Sequence, residues 1–366
     1  MSASDATGSA ASAPPPPAPG AAAALRRLGG ALAAPGKSTM RLNPFGLFTA
    51  RTVGIEEGPG GELFNVTHYA HAPSGLALPG PVRERRESAR TTARELRAAA
   101  ADGIDNTGNF HWPAEEVLAH LLLTPGAVLP PPPPPPPAAV EGADASAPRL
   151  PTVRVVELGA GVGLAGFCVA ARYGAAAHVT VTDGNATVVE TLSHNAQRLR
   201  DAAAATAASD DAAPRLGELA VGQLLWHAPT EGMLAALGAA THVVAADCLF
   251  FDKFHAQLKA LLLRCLRREG DAPPPVVTMV APRRGTTLQR FVDTMAAEPD
   301  VVATVDECYD DGIAATHRRL LAEKQTLLAA GDDAPSAGGA GGGTMAAEYE
   351  PDRHYPLLLR FTRKVV

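Results

Sequence analysis

Beyond residue 150 the hydrophobic positions switch repeatedly between two periods. Residues 153–158, 178–182, 219–225, 242–246 and 276–281 are short β-branched or aliphatic runs, suited to strands buried on both faces. Between them apolar residues recur at three- and four-residue intervals: Leu164, Phe167, Cys168, Ala171; Val188, Val189, Leu192, Ala196, Leu199; Phe254, Leu258, Leu261, Leu262, Cys265; Leu288, Phe291, Val292, Met295. Each set forms one face of a helix. This alternation predicts an α/β fold, a Rossmann-like, doubly wound, parallel sheet. Residues 301–307 and 355–362 close it as a final pair, bringing the strands to seven.

Upstream the pattern is less regular. Phe45, Leu47, Phe48 and Val53 precede a charged stretch at 83–97 and a Gly-rich loop at 102–109. Trp112-Pro113-Ala114-Glu115-Glu116 then reads as a helix start, because proline lacks a donor that is unpaired there anyway and acids complement the helix dipole. Val117, Leu118, Leu121 and Leu122 give that helix an apolar face. Residues 40–128 are thus expected to form a small N-terminal extension packing on the core, and residues 151–366 the α/β domain. Residues 1–39, rich in Ala, Pro and Ser, are too poor in large apolar side chains to offset chain entropy and read as a disordered tail. The unbroken prolines of 130–137 mark a stiff linker insert over 129–150. A Gly/Ala-rich insert at about 329–347 reads as a flexible loop.

Composition narrows the function. The 366 residues are 46% hydrophobic and 19% charged with a net charge of −6, which argues against nucleic acid as the main partner, since phosphate binding needs a clustered basic surface. Apolar runs are broken before the ~20 residues of a membrane span. Cys168, Cys248, Cys265 and Cys308 are too widely spaced for a metal knuckle and read as reduced thiols; no metal site is expected. Gly36-Lys37-Ser38-Thr39 imitates the end of a phosphate-binding loop, but the earlier glycine it needs is Ala31. A cytoplasmic location, with the nucleus also open, fits these features, and an organelle transit peptide in the Ser/Ala-rich start stays open.

Glu157-Leu158-Gly159-Ala160-Gly161-Val162-Gly163 ends the first strand of the α/β domain and opens its first helix, at the carboxyl edge where such sheets bind cofactors. The third glycine comes one residue too early for a dinucleotide fingerprint. An acid at Glu157 is also awkward beside a pyrophosphate. It suits a ligand with a cationic end, such as the amino group of S-adenosylmethionine. Asp183 ends the second strand, where an acid can accept ribose hydroxyls, with Asn185 in the turn beyond. Alternatively, Glu157 caps the following helix and Asp183 makes a turn with Gly184 and Asn185. Trp226 either packs by the adenine or belongs to the core. Asp247-Cys248-Leu249-Phe250 ends the fourth strand, where the reacting end of a cofactor belongs, and lacks the paired prolines of enzymes that methylate amino groups of DNA bases or protein amides.

Several further segments carry a resemblance. Residues 103–109 followed by Trp112-Pro113 and Glu115-Glu116-Val117-Leu118-Ala119, then Thr182-Asp183-Gly184-Asn185, Ala246-Asp247-Cys248-Leu249-Phe250, Ala281-Pro282-Arg283-Arg284-Gly285 and His354-Tyr355-Pro356-Leu357-Leu358-Leu359, occur in order. With Phe45-Gly46-Leu47-Phe48, they resemble the class I, seven-strand lysine methyltransferases, in particular members that act on calmodulin. The likeness spans about residues 40–366, apart from the two inserts. It implies an S-adenosylmethionine-dependent enzyme that methylates a calmodulin lysine, up to trimethyllysine, as a monomer without a metal. It also implies roles: Gly159, Gly161, Gly163, Glu157, Asp183, Asn185, Trp226 and Asp247 at the cofactor, and Asp247 and Phe250 at the reaction. Trp112, Arg283, Arg284 and Tyr355 would meet the substrate, the aromatics by cation–π contact and the arginines by pairing with an acidic partner. Tyr355 and Phe250 as core, and the arginines as a solvated pair, are the competing assignments. Another protein lysine or a small molecule as acceptor, or a calmodulin-binding module without catalysis, are the alternative functions.

Overall fold

The computed structural model describes residues 42–86, 107–133, 153–209, 215–268, 273–330 and 342–364. The expected tail at 1–39, most of the proline insert and residues 331–341 of the Gly/Ala insert lie outside these. Three strands, β1 (Phe48–Glu57), β2 (Leu63–His71) and β3 (Val82–Arg85), form an antiparallel sheet. The pattern of the sequence had not specified this sheet, because β1 is exposed along most of its length and has no buried face to alternate. Helix α1 (Pro113–Leu123) follows, with Pro113 in its first turn as expected.

The second sheet comprises β4 (Val153–Leu158), β5 (Ala177–Asp183), β6 (Glu218–Gln223), β7 (His242–Ala246), β8 (Val276–Pro282), β9 (Val301–Asp306) and β10 (Pro356–Arg363). Its order is β6-β5-β4-β7-β8-β10-β9. The first five strands are parallel, whereas β10 inserts antiparallel between β8 and β9. The flanking helices are α2 (Leu164–Tyr173), α3 (Ala186–Ser209), α4 (Glu231–Ala239), α5 (His255–Leu266), α6 (Thr287–Ala296) and α7 (Asp311–Ala330), with short α8 (Gly342–Glu348) and α9 (Pro351–His354) before β10. This is the seven-strand, doubly wound sheet that the alternation predicts. Among the described residues no helix is long and apolar enough to cross a membrane.

Some details differ from expectation. The third strand of this sheet stops at Gln223, so Leu224 and Leu225 lie in the loop beyond it. The Gly/Ala stretch is not loop throughout: α7 runs to Ala330 and α8 begins at Gly342, alanine being the strongest helix former. Leu129, placed in the linker by its prolines, is buried in the core, and the Pro130 carbonyl accepts the Tyr173 hydroxyl at 2.5 Å.

Polar pins hold the N-terminal sheet to the larger one. Asn195 on α3 accepts the Arg83 N–H at 2.8 Å and donates its amide to the Arg83 carbonyl at 3.0 Å and the Val162 carbonyl at 3.2 Å, joining β3 to the glycine loop. A second pin runs Ser74 Oγ, His71 Nδ1, His71 Nε2, His120 Nδ1, His120 Nε2, Asp310 Oδ2, with separations of 2.7, 2.9 and 3.0 Å. It ties the end of β2 to α1 and to the start of α7. In a third, His111 sits between Glu115 Oε2 at 3.2 Å and Glu116 Oε1 at 3.0 Å, while Asn43 donates to Glu116 Oε2 at 2.7 Å.

Two of these pins titrate in opposite directions. Burial, reinforced by the neighbouring His120, pulls His71 from 6.5 down to about 4. Burial also disfavours charge on His111, but hydrogen bonds to Glu115 and Glu116 outweigh it and push that group up from 6.5 to about 10. The His71 contribution is therefore full above its unfolded value and lost as pH falls through about 4; that of His111 is full below its unfolded value and lost as pH rises through about 10. Unfolding midpoints measured from pH 4 to 10 should fall at both ends, each limb carrying on the order of 3–5 kcal/mol. His71→Gln should flatten the acid limb and His111→Gln the alkaline limb; limbs of unchanged slope in these variants would count against both assignments.

Candidate active site

The glycine loop needs its glycines for backbone conformation and for space. Gly159 has φ +58° and Gly161 has φ +56°, a region costly to residues with a Cβ. A Cβ on Gly159 would lie 2.6 Å from Cys248 Sγ, and one on Gly161 would lie 3.1 Å from the Gly108 carbonyl. The loop is thus passed closely by the end of β7 on one side and by residues 107–109 on the other. Its path is fixed by donors on its own backbone: Ala160 N donates to Thr182 O at 2.8 Å and Gly161 N to Asp183 Oδ2 at 3.3 Å. Asp183 Oδ1 accepts Asn185 N at 2.9 Å. The turn expected of Asp183 and its position beside the glycine loop are therefore both present.

Next to the loop opens a cavity of about 580 Å³. Of the residues singled out in the sequence, Trp112, Glu157, Gly159, Gly161, Asp183, Asn185, Trp226, Asp247, Phe250 and Arg284 line it. Gly163, Arg283 and Tyr355 do not. Gly163 is the left-handed cap of α2 at φ +89°, where a Cβ would run into Phe167 and Leu192. Tyr355 is buried, donates its hydroxyl to the Glu307 carbonyl and stacks on His317 with ring centroids 3.9 Å apart. It is a core residue. The two arginines diverge: Arg283 is half-buried with its side chain 42% exposed and pairs with Glu307, whereas Arg284 turns inward to Asp247. They do not form the side-by-side pair that adjacency suggested, because Arg284 takes φ +47° and the chain reverses there.

Glu157 is fully buried. Its Oε2 accepts Gly166 N at 2.8 Å, which is the helix-capping alternative realised, while Oε1 has no hydrogen-bond partner among the described residues. Burial first, then the charge of nearby Glu115, drives its pKa well above the ordinary carboxylate value, with Asp183 adding to the effect and the Gly166 N–H opposing it. A cationic group in the cavity would relieve this, since a carboxylate denied water needs a donor or a counter-charge. The free acceptor oxygen of Glu157 thus fits the amino-acid end of S-adenosylmethionine, and Asp183 with the close-approach glycines fits its nucleoside.

At the other edge of the cavity Asp247 holds Arg284. Arg284 Nε donates to Oδ1 at 2.9 Å and Nη2 to Oδ2, a bidentate pair. The guanidinium carbon lies 4.9 Å from the Phe250 ring centroid and 5.9 Å from that of Trp112. Asp352 anchors the loop beneath: its carbonyl accepts Arg284 N at 2.8 Å and its carboxylate accepts Gly285 N at 2.7 Å.

Sequence reasoning missed several residues of the wall. Glu115, a helix-start acid by sequence, lines the cavity, and its Oε1 accepts Leu164 N, the first donor of α2, at 2.6 Å. His111, four residues before Glu115, was the available signal. Phe251 and Phe254 also line the cavity; with Phe250 they form an aromatic cluster readable at 250–254. Trp226 meets Phe254 edge-on at 6.1 Å, so it is both packed and cavity-lining.

A family model described as lysine methyltransferase matches residues 93–298, more than half of the chain. A calmodulin-lysine N-methyltransferase from Arabidopsis thaliana is 26% identical over 263 residues, covering 72% of this chain and 67% of that protein. Among solved structures, a predicted O-methyltransferase from Agrobacterium tumefaciens is 15% identical, covers 68% of this chain and 81% of that one, and gives a TM-score of 0.33. An O-methyltransferase from Bacillus cereus is 12% identical, with coverage of 76% and 92% and a TM-score of 0.33. The chain belongs to the lysine methyltransferase family and is a class I enzyme with S-adenosylmethionine as its cofactor.

Proposed function

We propose that this enzyme transfers methyl groups to a lysine of calmodulin, up to trimethyllysine. The observation that carries the lysine acceptor is the cation slot at the cavity edge, where Asp247, Phe250 and Trp112 already surround one positive side chain. Calmodulin as the protein is supported by the likeness to the Arabidopsis enzyme of that name.

The bound cofactor supplies an electrophilic methyl group on a cationic sulfur. The protein's work is to position and to exclude water, which together account for much of the rate in such a displacement. Asp183 and the backbone of the glycine loop would hold the nucleoside, and Glu157 would meet the ammonium. Trp226, Phe251 and Phe254 wall the cavity with apolar surface. The acceptor amine must be neutral when it attacks, although a lysine with an ordinary pKa of ~10.4 arrives charged at neutral pH. Asp247, on the cavity wall beside Phe250, is the carboxylate available to take that proton, directly or through water.

Asp183→Ala should weaken cofactor binding about 10-fold or more in calorimetry, since the carboxylate both faces the cavity and holds the Gly161 and Asn185 N–H groups. Binding equal to wild type would remove Asp183 from the site. Incubated with S-adenosylmethionine and this protein, unmethylated calmodulin should gain up to three methyl masses, and a variant with the acceptor lysine replaced by arginine should gain none. Calmodulin of unchanged mass, with cofactor binding intact, would redirect the search to another protein lysine.

A further inference from the structure

Resting on the lysine-methyltransferase reading of the site, we propose that Arg284 is a built-in stand-in for the substrate. It fills the acceptor slot of the free enzyme and leaves it by exchanging Asp247 for a carboxylate on the substrate. The specificity that follows is for a lysine with an acidic residue close to it in space.

The slot is complete without any substrate. Both oxygens of Asp247 are taken by the guanidinium, and the rings of Phe250 and Trp112 lie within cation–π range of it. All four residues line the cofactor cavity. These are the contacts that would receive an alkylammonium, so a lysine and Arg284 compete for one place. Two cations cannot share it, because the pair is nearly dehydrated: the side chains of Arg284 and Asp247 are only 10% and 12% exposed.

The pair is held in place by its surroundings. Asp247 at φ +52° and Arg284 at φ +47° are the described non-glycine residues with positive φ, a conformation kept only where neighbouring structure over-determines it. For Arg284 that structure is Asp352, which grips the backbone N–H groups of residues 284 and 285.

Charge accounting then sets the substrate. Withdrawing the arginine with nothing in return leaves the poorly hydrated Asp247 carboxylate without its counter-charge and the guanidinium without its bidentate partner, which is unfavourable. Exchange is nearly balanced when the incoming ammonium takes Asp247 and the displaced guanidinium finds a new carboxylate. A bare amine brings only the first of these charges. A lysine beside an acid brings both.

The test uses n-butylamine, which has no carboxylate, with wild type, Arg284→Met and Asp352→Ala. Two readouts are taken: calorimetric binding of the amine with S-adenosylhomocysteine present, and mass of N-methylbutylamine formed with S-adenosylmethionine. In that reaction the methyl passes from sulfur to nitrogen and the nitrogen's proton to solvent. Arg284→Met is expected to bind the amine at least 10-fold more tightly than wild type and to methylate it at least 10-fold faster. Asp352→Ala, which only loosens the loop, should show a smaller gain of about 3-fold and remains informative if Arg284→Met fails to fold. An amine that binds Arg284→Met but is not methylated would mean that Arg284 merely props Asp247, and would overturn the proposal, as would equal behaviour of all three proteins. Wild-type activity on calmodulin, measured in parallel, separates this outcome from failure of the substrate assignment.

Discussion

Glu115, Glu116, Glu157 and Asp183 are all buried at one edge of the large sheet, and a carboxylate taken out of water must find donors or counter-charge. Much of the molecule is arranged to meet that requirement. Glu115 takes the first N–H of α2, and His111 bridges Glu115 and Glu116. Gly166 donates to Glu157, and the glycine loop and the turn after β5 donate to Asp183. The donors come from the segment just before α1, from α2, the loop between β4 and α2, and the turn that opens α3. Satisfying the acids therefore locks these elements around the cavity. What remains unmet is one oxygen of Glu157, on the wall where the cationic end of the cofactor is expected.

The opposite wall depends on the end of the chain. β10 enters the sheet antiparallel between β8 and β9, so the segment leading into it crosses beneath the loop after β8. There Asp352 holds the Arg284 loop, and Tyr355 is clasped by the Glu307 carbonyl and the His317 ring. Tyr309 likewise donates to the Pro356 carbonyl at 2.8 Å. These aromatics give a firm backing to the acceptor side without facing it. A fixed base of this kind lets a strained ion pair such as Asp247–Arg284 persist.

The three-stranded sheet at the start adds no residue to the cavity wall, yet it is joined to the site. Asn195 hydrogen-bonds β3 and the Val162 carbonyl of the glycine loop with the same side chain. His71 reaches α1 through His120, and α1 carries Glu115. The sheet thus steadies both sides of the loop by polar contacts between buried groups, where each broken bond leaves an uncompensated donor or acceptor.

How much of this was legible depended on the range over which the relevant physics acts. The strands and most helices of the large sheet follow from spacing, because a two- or 3.6-residue period in apolar side chains is set by neighbouring residues. The glycine loop, Glu157, Asp183 and Asp247 were legible too, since a strand end brings each to the carboxyl edge whatever the rest of the chain does. β1, with no buried face, carried no such period. Tertiary structure alone decided which charges meet: Asp247 and Arg284 are 37 residues apart in sequence, and His120 and Asp310 are 190. It also decided that neighbouring Arg283 and Arg284 part ways, and that Tyr355 faces the core while Trp112 faces the cavity. Periodicity reports only whether a side chain is removed from water; the partner that compensates it is chosen when distant segments fold against one another.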